Sequence, residues 1–381
     1  MMADKMTFDD LNLNENLLRG IFSYGFEDPS PIQGKAIPVM NNKQDLIAQA
    51  QSGTGKTGAF SIGVLNNIDV TSNTTQAIII NPTHELANQN LNVIKELGNY
   101  MNINILSVVG GTDVRKCQSD LSKNPHIVVG TPGRILDMIQ KRYLITEKIK
   151  VIIFDEADEI LSYGFKDSIY NIIQYMPKEA QICIYSATMP NDVLELTDKF
   201  MNNPERILVD KDKLTLEGIL QFYINVKVND WKYETLKDIY DTINVSQCII
   251  YINSKNKLME INDRLKQDGF PVECIHGELN GDYRKSIMND FKSGKTRILL
   301  STDLLARGID IQQLSLVINY DLPRDKETYI HRIGRSGRYG RKGVSINFVT
   351  DRDMEYQNDI SKFYDTRIEE MPQNINDYLN I

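Results

Sequence analysis

The chain has 381 residues, 41% of them hydrophobic and 25% charged, and a net charge of −8. That length suits two domains, or three at most, with about three-quarters of the unfolded surface buried, and the composition excludes a disordered, collagen-like or disulfide-scaffold chain. No stretch approaches the ~18 uncharged apolar residues of a spanning helix, and the start, MMADKMTFDD, lacks the apolar core of a signal peptide, so the expectation is a cytoplasmic protein without membrane contact.

The charge is uneven, −7 over residues 1–210 and −1 over residues 211–381. An acid excess opposes non-specific polyanion binding, yet salt screens charges beyond ~8 Å, so a local basic strip can still hold phosphates. Residues 331–342, HRIGRSGRYGRK, form such a strip, with Arg332, Arg335, Arg338, Arg341 and Lys342 and no acid among them. Cys117, Cys183, Cys248 and Cys274 have no C-x-x-C spacing and read as buried free thiols in a reducing compartment.

Along the chain, short apolar, β-branched runs alternate with stretches of helical spacing, the pattern of β-α repeats around a parallel sheet. The first half predicts strands at 45–50, 77–80, 105–109, 126–129, 150–154 and 181–185; the second half predicts them at 248–252, 272–275, 297–300, 316–319 and 344–349. Two similar sets predict two similar α/β domains, residues 1–209 and 219–381, joined by a short polar linker at 210–218. Met189 and Pro190 look like a helix start, and Trp231, Tyr233 and Tyr240 like packing on a helix.

In open α/β sheets ligands gather beyond the carboxyl ends of the strands, and here those exits carry QSGTGKT, NPTHELA, GTPGR, DEAD, SAT, NSK and STDLLARGID. Ala50–Thr57, AQSGTGKT, lies between a strand and a helix; Ser52, Gly53, Thr54 and Gly55 let backbone N–H groups cradle phosphates, Lys56 adds a point charge, and Thr57 offers a hydroxyl to Mg²⁺. ATP is the expected ligand. Acids at a helix start could merely answer the helix dipole. Beside a phosphate loop, Asp155 becomes the metal partner of Thr57, and Glu156 can orient or deprotonate the attacking water. Arg335 and Arg338, three apart, are placed to serve as arginine fingers from the second domain.

Together these residues resemble the DEAD-box ATP-dependent RNA helicases, and within them the initiation-factor four-A branch. The resemblance runs from about Phe8 to the C-terminus and rests on GFEDPSPIQ (25–33), AQSGTGKT, PTHELA, Gly110-Gly111, TPGR (131–134), DEAD, Ser186-Ala187-Thr188, STDLLARGID (301–310) and HRIGRSGR (331–338). It implies two tandem RecA-like domains and RNA-stimulated ATP hydrolysis with unwinding of short duplexes in translation initiation. It further implies that Phe26 stacks on adenine, that Phe8 supports that loop, that Gln33 reads the base edge and that Asp310 holds the ribose. Asp158, Ser186, Thr188 and His331 would couple the domains. Pro82, Thr83, Gly110, Gly111, Thr131, Gly133, Arg134, Arg284 and Thr302 would meet single-stranded RNA or a short duplex, mainly at sugar and phosphate.

The implied partners are RNA and an initiation scaffold protein, and the implied state is a monomer. The chain departs from the family in three segments: His84 stands for an arginine, Gly281 for a glutamine, and Lys255 and Lys257 stand where arginines are common. The first makes one phosphate contact weaker or pH-dependent, and the lysines give up planar bidentate geometry. Rival readings from the same motifs are an ATP-dependent RNA clamp, a DNA-directed translocase and a non-enzymatic nucleotide sensor.

Overall fold

The computed structural model describes residues 6–50, 54–162, 164–207, 219–242, 247–303, 314–334, 336, 343–372, 374–375 and 378. Ser52, Gly53, Asp310, Arg335, Arg338, Arg341, Lys342 and the 210–218 linker lie outside them. The chain divides into two units, Met1–Val209 and Asp210–Ile381.

Unit 1 runs α1 (Glu15–Tyr24), α2 (Pro31–Asn41), β1 (Leu46–Gln49), α3 (Lys56–Asn67), β2 (Ala77–Ile80), α4 (His84–Leu97), β3 (Ile105–Val108), α5 (Val114–Leu121), β4 (Ile127–Gly130), α6 (Pro132–Gln140), β5 (Val151–Asp155), α7 (Ala157–Ser162), α8 (Lys166–Gln174), β6 (Gln181–Ser186), α9 (Asn191–Phe200) and β7 (Glu205–Ile207). Unit 2 runs β8 (Ile219–Lys227), α10 (Lys232–Thr242), β9 (Cys248–Tyr251), α11 (Lys255–Gln267), β10 (Val272–Ile275), α12 (Gly281–Lys292), β11 (Ile298–Ser301), β12 (Leu316–Asn319), α13 (Lys326–Ile333), β13 (Gly343–Thr350), α14 (Met354–Phe363) and β14 (Glu369–Glu370).

The strand orders are β3-β4-β2-β5-β6-β1-β7 and β10-β11-β9-β12-β13-β8-β14, with all neighbours parallel. Numbered from the first strand of each unit, both orders are the same. Parallel strands covered by helices on both faces read as continuous apolar runs, and AIII shows it: Ala77 and Ile79 pack into one core layer, Ile78 and Ile80 into the other. Each predicted strand is present. Three others, β7, β8 and β14, escape the sequence pattern: β7 and β14 are short and mostly exposed, and β8 (ILQFYINVK) is interrupted by Gln221 and Asn225 and only partly buried.

The helix start after Pro190 is where the sequence puts it. Cys117, Cys183 and Cys248 are buried free thiols, while Cys274 is half-buried. Tyr233 packs inside as expected, but Trp231 does not: it is 60% exposed, because the short 3₁₀ turn Asn229–Trp231 precedes α10 and carries the indole past the helix face.

Arg332 also departs from the phosphate-holding strip in which the sequence places it. It is fully buried on α13, donates from Nε to Asp303 Oδ1 (2.7 Å) and from Nη1 to the Asp321 carbonyl (2.7 Å), and from Nη2 to Asn253 Oδ1 (2.6 Å), with its guanidinium 5.1 Å from the Tyr251 ring centre. One side chain thus ties together the exits of β9, β11 and β12, and a guanidinium suits this because its five donors are fixed in one plane.

Beside it, Asp321 accepts from Lys232 at 3.0 Å and faces Lys257 at 3.6 Å. Lys255 pairs with Glu278. The NSKNK lysines are therefore committed to ion pairs inside unit 2. Burial pushes the Asp321 carboxyl up, yet Lys232 and Lys257 outweigh it and hold the group below its ordinary value. The carboxylate's stabilising contribution is therefore present above the unfolded value near 3.9 and fades as pH falls through the lower folded value. Asp321→Asn, which strands buried Lys232, is expected to cost about 3 kcal/mol at pH 7 in urea titrations of the full chain, with the gap to wild type closing below about pH 4.

Candidate functional site

The strand order of unit 1 arranges its exits in a line. From one end, the Gly110-Gly111 loop follows β3, TPGR follows β4 and opens α6, PTHELA follows β2, DEAD begins at the last residue of β5, SAT begins at the last residue of β6 and the phosphate loop follows β1. The nucleotide motifs therefore occupy one end of a single sheet edge and the RNA-type motifs the other, with DEAD and SAT between them.

At the nucleotide end, Ser30 caps α2 and Pro31 opens it, a favoured pairing because proline has no N–H to leave unsatisfied. Gln33 Oε1 accepts from Ser30 N at 2.8 Å, and Gln33 Nε2 reaches the Gly55 carbonyl at 3.4 Å. Gly55 has φ +103°, and a Cβ there would lie 2.6 Å from Ser30 Oγ; one on Gly58 would lie 2.5 Å from Gln33 Nε2 and 3.1 Å from the Phe26 ring. Both glycines are required for this approach. Phe8 lies behind Phe26 with rings 6.2 Å apart and 14° from parallel, and Tyr24 meets Phe26 edge-on at 4.9 Å. The structure thus brings Phe8, Phe26, Gln33 and Gly55 together. Thr54 precedes them in the loop, and Thr57 follows Lys56 in the first turn of α3.

Lys56 makes an ion pair. Its Nζ lies 3.3 Å from both Glu156 carboxylate oxygens, with each side chain about 5% exposed. Glu156 stands in the left-handed region at φ +53°, a conformation that costs about 1–3 kcal/mol in a non-glycine residue and clusters at functional sites. Asp155 is buried next to it. Burial first, then the Glu156 charge, push its carboxyl up to about 7, against the opposing pull of Lys56 and an Asn90 hydrogen bond.

Two adjacent buried acids facing one ammonium make a site short of positive charge, which a divalent cation with oxygen ligands would supply. The oxygen donors expected to hold it, the Asp155 carboxylate and the Thr57 hydroxyl, are of the hard type that would suit Mg²⁺.

Next along the edge, the Asp158 N–H donates to Ser186 Oγ at 3.4 Å, and the Thr188 hydroxyl donates to Asp158 Oδ2. These three residues, expected from the sequence to couple the domains, meet within unit 1. His331 is buried on α13 of unit 2.

At the far end, Pro82, Gly110, Thr131, Gly133 and Arg134 line one cavity of about 440 Å³, with His84, Asp137 and Phe165 completing the wall. His84 sits over the glycine pair; a Cβ on Gly110 would lie 3.2 Å from its Nε2. Arg134 donates from Nη1 to Thr112 Oγ1 and from Nη2 to the Thr112 carbonyl, both at 2.9 Å, and so fixes the Gly110-Gly111 loop. Thr131 Oγ1 accepts from Gly110 N at 3.3 Å. Thr83 spends its hydroxyl as the N-cap of α4, accepting from Leu86 N at 3.2 Å. Gly111 has φ +70°. In unit 2, Arg284 is half-buried on α12 and Thr302 follows β11.

Sequence reasoning missed Asn81, Asn90, Thr112, Asp137 and Phe165. Asn81 and Thr112 stand next to recognised motifs, so proximity could have flagged them; Asn90 and Phe165 carry no signal that separates them from ordinary helix and loop residues.

A DEAD/DEAH box helicase domain matches residues 30–196, and a helicase conserved C-terminal domain matches residues 231–340. The chain belongs to the DEAD/DEAH box helicase family, with two tandem RecA-like units. It is 55% identical over 374 residues to the ATP-dependent RNA helicase eIF4A of Meyerozyma guilliermondii, covering 98% of this chain and 94% of that one. It is 52% identical over 373 residues to Eukaryotic initiation factor 4A of Caenorhabditis elegans, covering 98% and 93%. Among solved structures it is similar to S. cerevisiae Dbp5 bound to RNA and ADP BeF3, with a TM-score of 0.91, 35% identity and 97% of each chain covered.

Glu156→Gln removes the anion that holds Lys56. It is expected to bind ATP as well as or better than wild type, by fluorescent-nucleotide titration, while kcat falls about 10²–10⁴-fold. Turnover equal to wild type would take Glu156 out of the chemistry.

Proposed function

We propose that this chain is an ATP-dependent RNA helicase that unwinds short duplexes during translation initiation. The observation that carries the reading is the single edge of unit 1, where the buried Lys56, Glu156 and Asp155 cluster and the glycine-lined cavity are joined through adjacent strands. The full-length relatives named as helicases and as an initiation factor support it, and favour repeated turnover over a static clamp.

On this reading, Phe26 and Gln33 receive the base, Asp310 the ribose, and Ser52 through Gly55 the phosphates. The phosphate charge competes with Glu156 for Lys56. Freed from its partner, Glu156 accepts a proton from water as the water oxygen bonds to the γ-phosphorus and the bond to the β–γ bridging oxygen breaks, leaving ADP and phosphate. Mg²⁺, held by Asp155 and Thr57, would neutralise charge on the phosphate oxygens. Arg335 and Arg338 of unit 2 stabilise the departing phosphoryl group, and Asp158, Ser186, Thr188 and His331 tie hydrolysis to RNA binding.

RNA is taken at its sugar-phosphate backbone by Pro82, Gly110, Thr131, Gly133 and Arg134, with Thr83 and Gly111 beside them and Arg284 and Thr302 contributed by unit 2. Small residues and glycines suit close backbone approach with little base readout. The chain acts as a monomer in the cytoplasm, and an initiation scaffold protein is its partner.

Phosphate release is expected to rise when RNA is added and to respond far less to DNA of the same sequence. No stimulation by RNA would overturn the reading, and equal stimulation by DNA would replace it with the translocase. In the same assay Arg335→Lys should lower kcat by about 10³, and a wild-type rate would deny unit 2 its part in the reaction.

A further inference from the structure

Two buried asparagines lie behind Asp155. Asn81 leaves β2 and Asn90 sits near the middle of α4, in a buried stripe of Leu86, Ala87, Leu91, Ile94 and Leu97 that is otherwise apolar. Both are fully buried, and both donate from Nδ2 to one oxygen of Asp155, Oδ2, at 2.7 Å from Asn90 and 3.4 Å from Asn81. The carbonyl oxygen of each amide is buried without a hydrogen-bond partner among the described residues. Buried polar atoms left unpaired weaken a fold, so two amides with orphaned carbonyl oxygens are a costly way to fill this space. The hydrogen bonds they do make converge on one group, the buried Asp155 carboxylate: two donors from a strand end and a helix fix it through Oδ2 and leave Oδ1 outside their grip.

We propose that Asn90, assisted by Asn81, is a positioning residue that holds Asp155 in the orientation in which its other oxygen meets a divalent cation bound with nucleotide. The inference rests on the nucleotide-site reading above and deepens it by assigning control of cation affinity to these two amides. Groups that orient a ligating carboxylate typically change metal affinity or activity 10–100-fold when removed.

The test uses the full chain with ADP and Mn²⁺ as probe. Free Mn²⁺ is read by electron paramagnetic resonance, and the Mg²⁺ dependence of RNA-stimulated ATP hydrolysis is followed alongside. Asn90→Leu, which keeps the branched shape and removes both the unpaired carbonyl and the donor to Asp155, is expected to fold, to weaken Mn²⁺ binding about tenfold or more, and to need correspondingly more Mg²⁺ for half-maximal rate, with most of kcat regained at saturating Mg²⁺. Asn81→Ala, losing the longer bond, should shift both constants about threefold in the same direction, and it decides the question if the first variant does not fold. Cation constants within twofold of wild type in either folded variant, with or without a lower melting temperature, would overturn the inference. A wild-type chain whose ATP hydrolysis ignores RNA would instead remove the helicase reading while leaving the Mn²⁺ comparison intact.

Discussion

Two neighbouring carboxylates, both withdrawn from water at the end of an apolar strand, face a single ammonium. Asp155 and Glu156 follow directly from VIIF, so the chain has no room to turn them outward before α7 begins at Ala157. In so dry a setting charge interactions are far stronger than in water, and an unbalanced anion is costly. The cluster lowers that cost internally by pairing Glu156 with Lys56 and by letting Asp155 hold its proton more firmly than an exposed aspartate does. A cation entering beside these carboxylates would offset the imbalance that the fold leaves in place.

The end of the edge proposed to receive the base is ordered by packing. Gln33 uses one end of its amide to close the first turn of α2 and the other to touch Gly55, so the side chain is immobilised by its own helix cap. Phe26 is braced on one side by Phe8 and on another by Tyr24. Groups locked in this way lose little freedom when a ligand binds, which is the physical content of preorganisation. The same economy operates at the cavity end, where Arg134 is occupied in holding Thr112 and shapes a loop as much as it offers charge.

Much of this was legible in the sequence because strands buried on both faces leave uninterrupted apolar runs, and because phosphate chemistry demands glycines and acids right after them. AIII and VIIF need no context to be read. β8 was hidden because Gln221 and Asn225 break its apolar run, and β7 because three residues make no pattern. What no linear pattern reveals is which exits meet. Nothing in the spacing of Lys56 and Glu156 says that they form an ion pair, and nothing in ANQNLNVI marks Asn90 as the residue turned toward a carboxylate on another strand. Arg332 illustrates the opposite error: in a row of cations it reads as a phosphate ligand, whereas its neighbours in space are three strand exits that need cross-linking.

The repeated strand order carries a lesson about asymmetry within the chain. The first strand of unit 1 opens into a glycine-rich turn, while its counterpart β8 opens into Val228, Asn229, Asp230 and Trp231, which offer no glycine for close backbone approach and an acid that would repel a polyphosphate. Duplicated architecture thus carries unequal strand exits: the same strand order ends in a phosphate-type turn in one unit and in a bulky, acidic corner in the other, so the shared scaffold leaves each copy free to diverge at its loops.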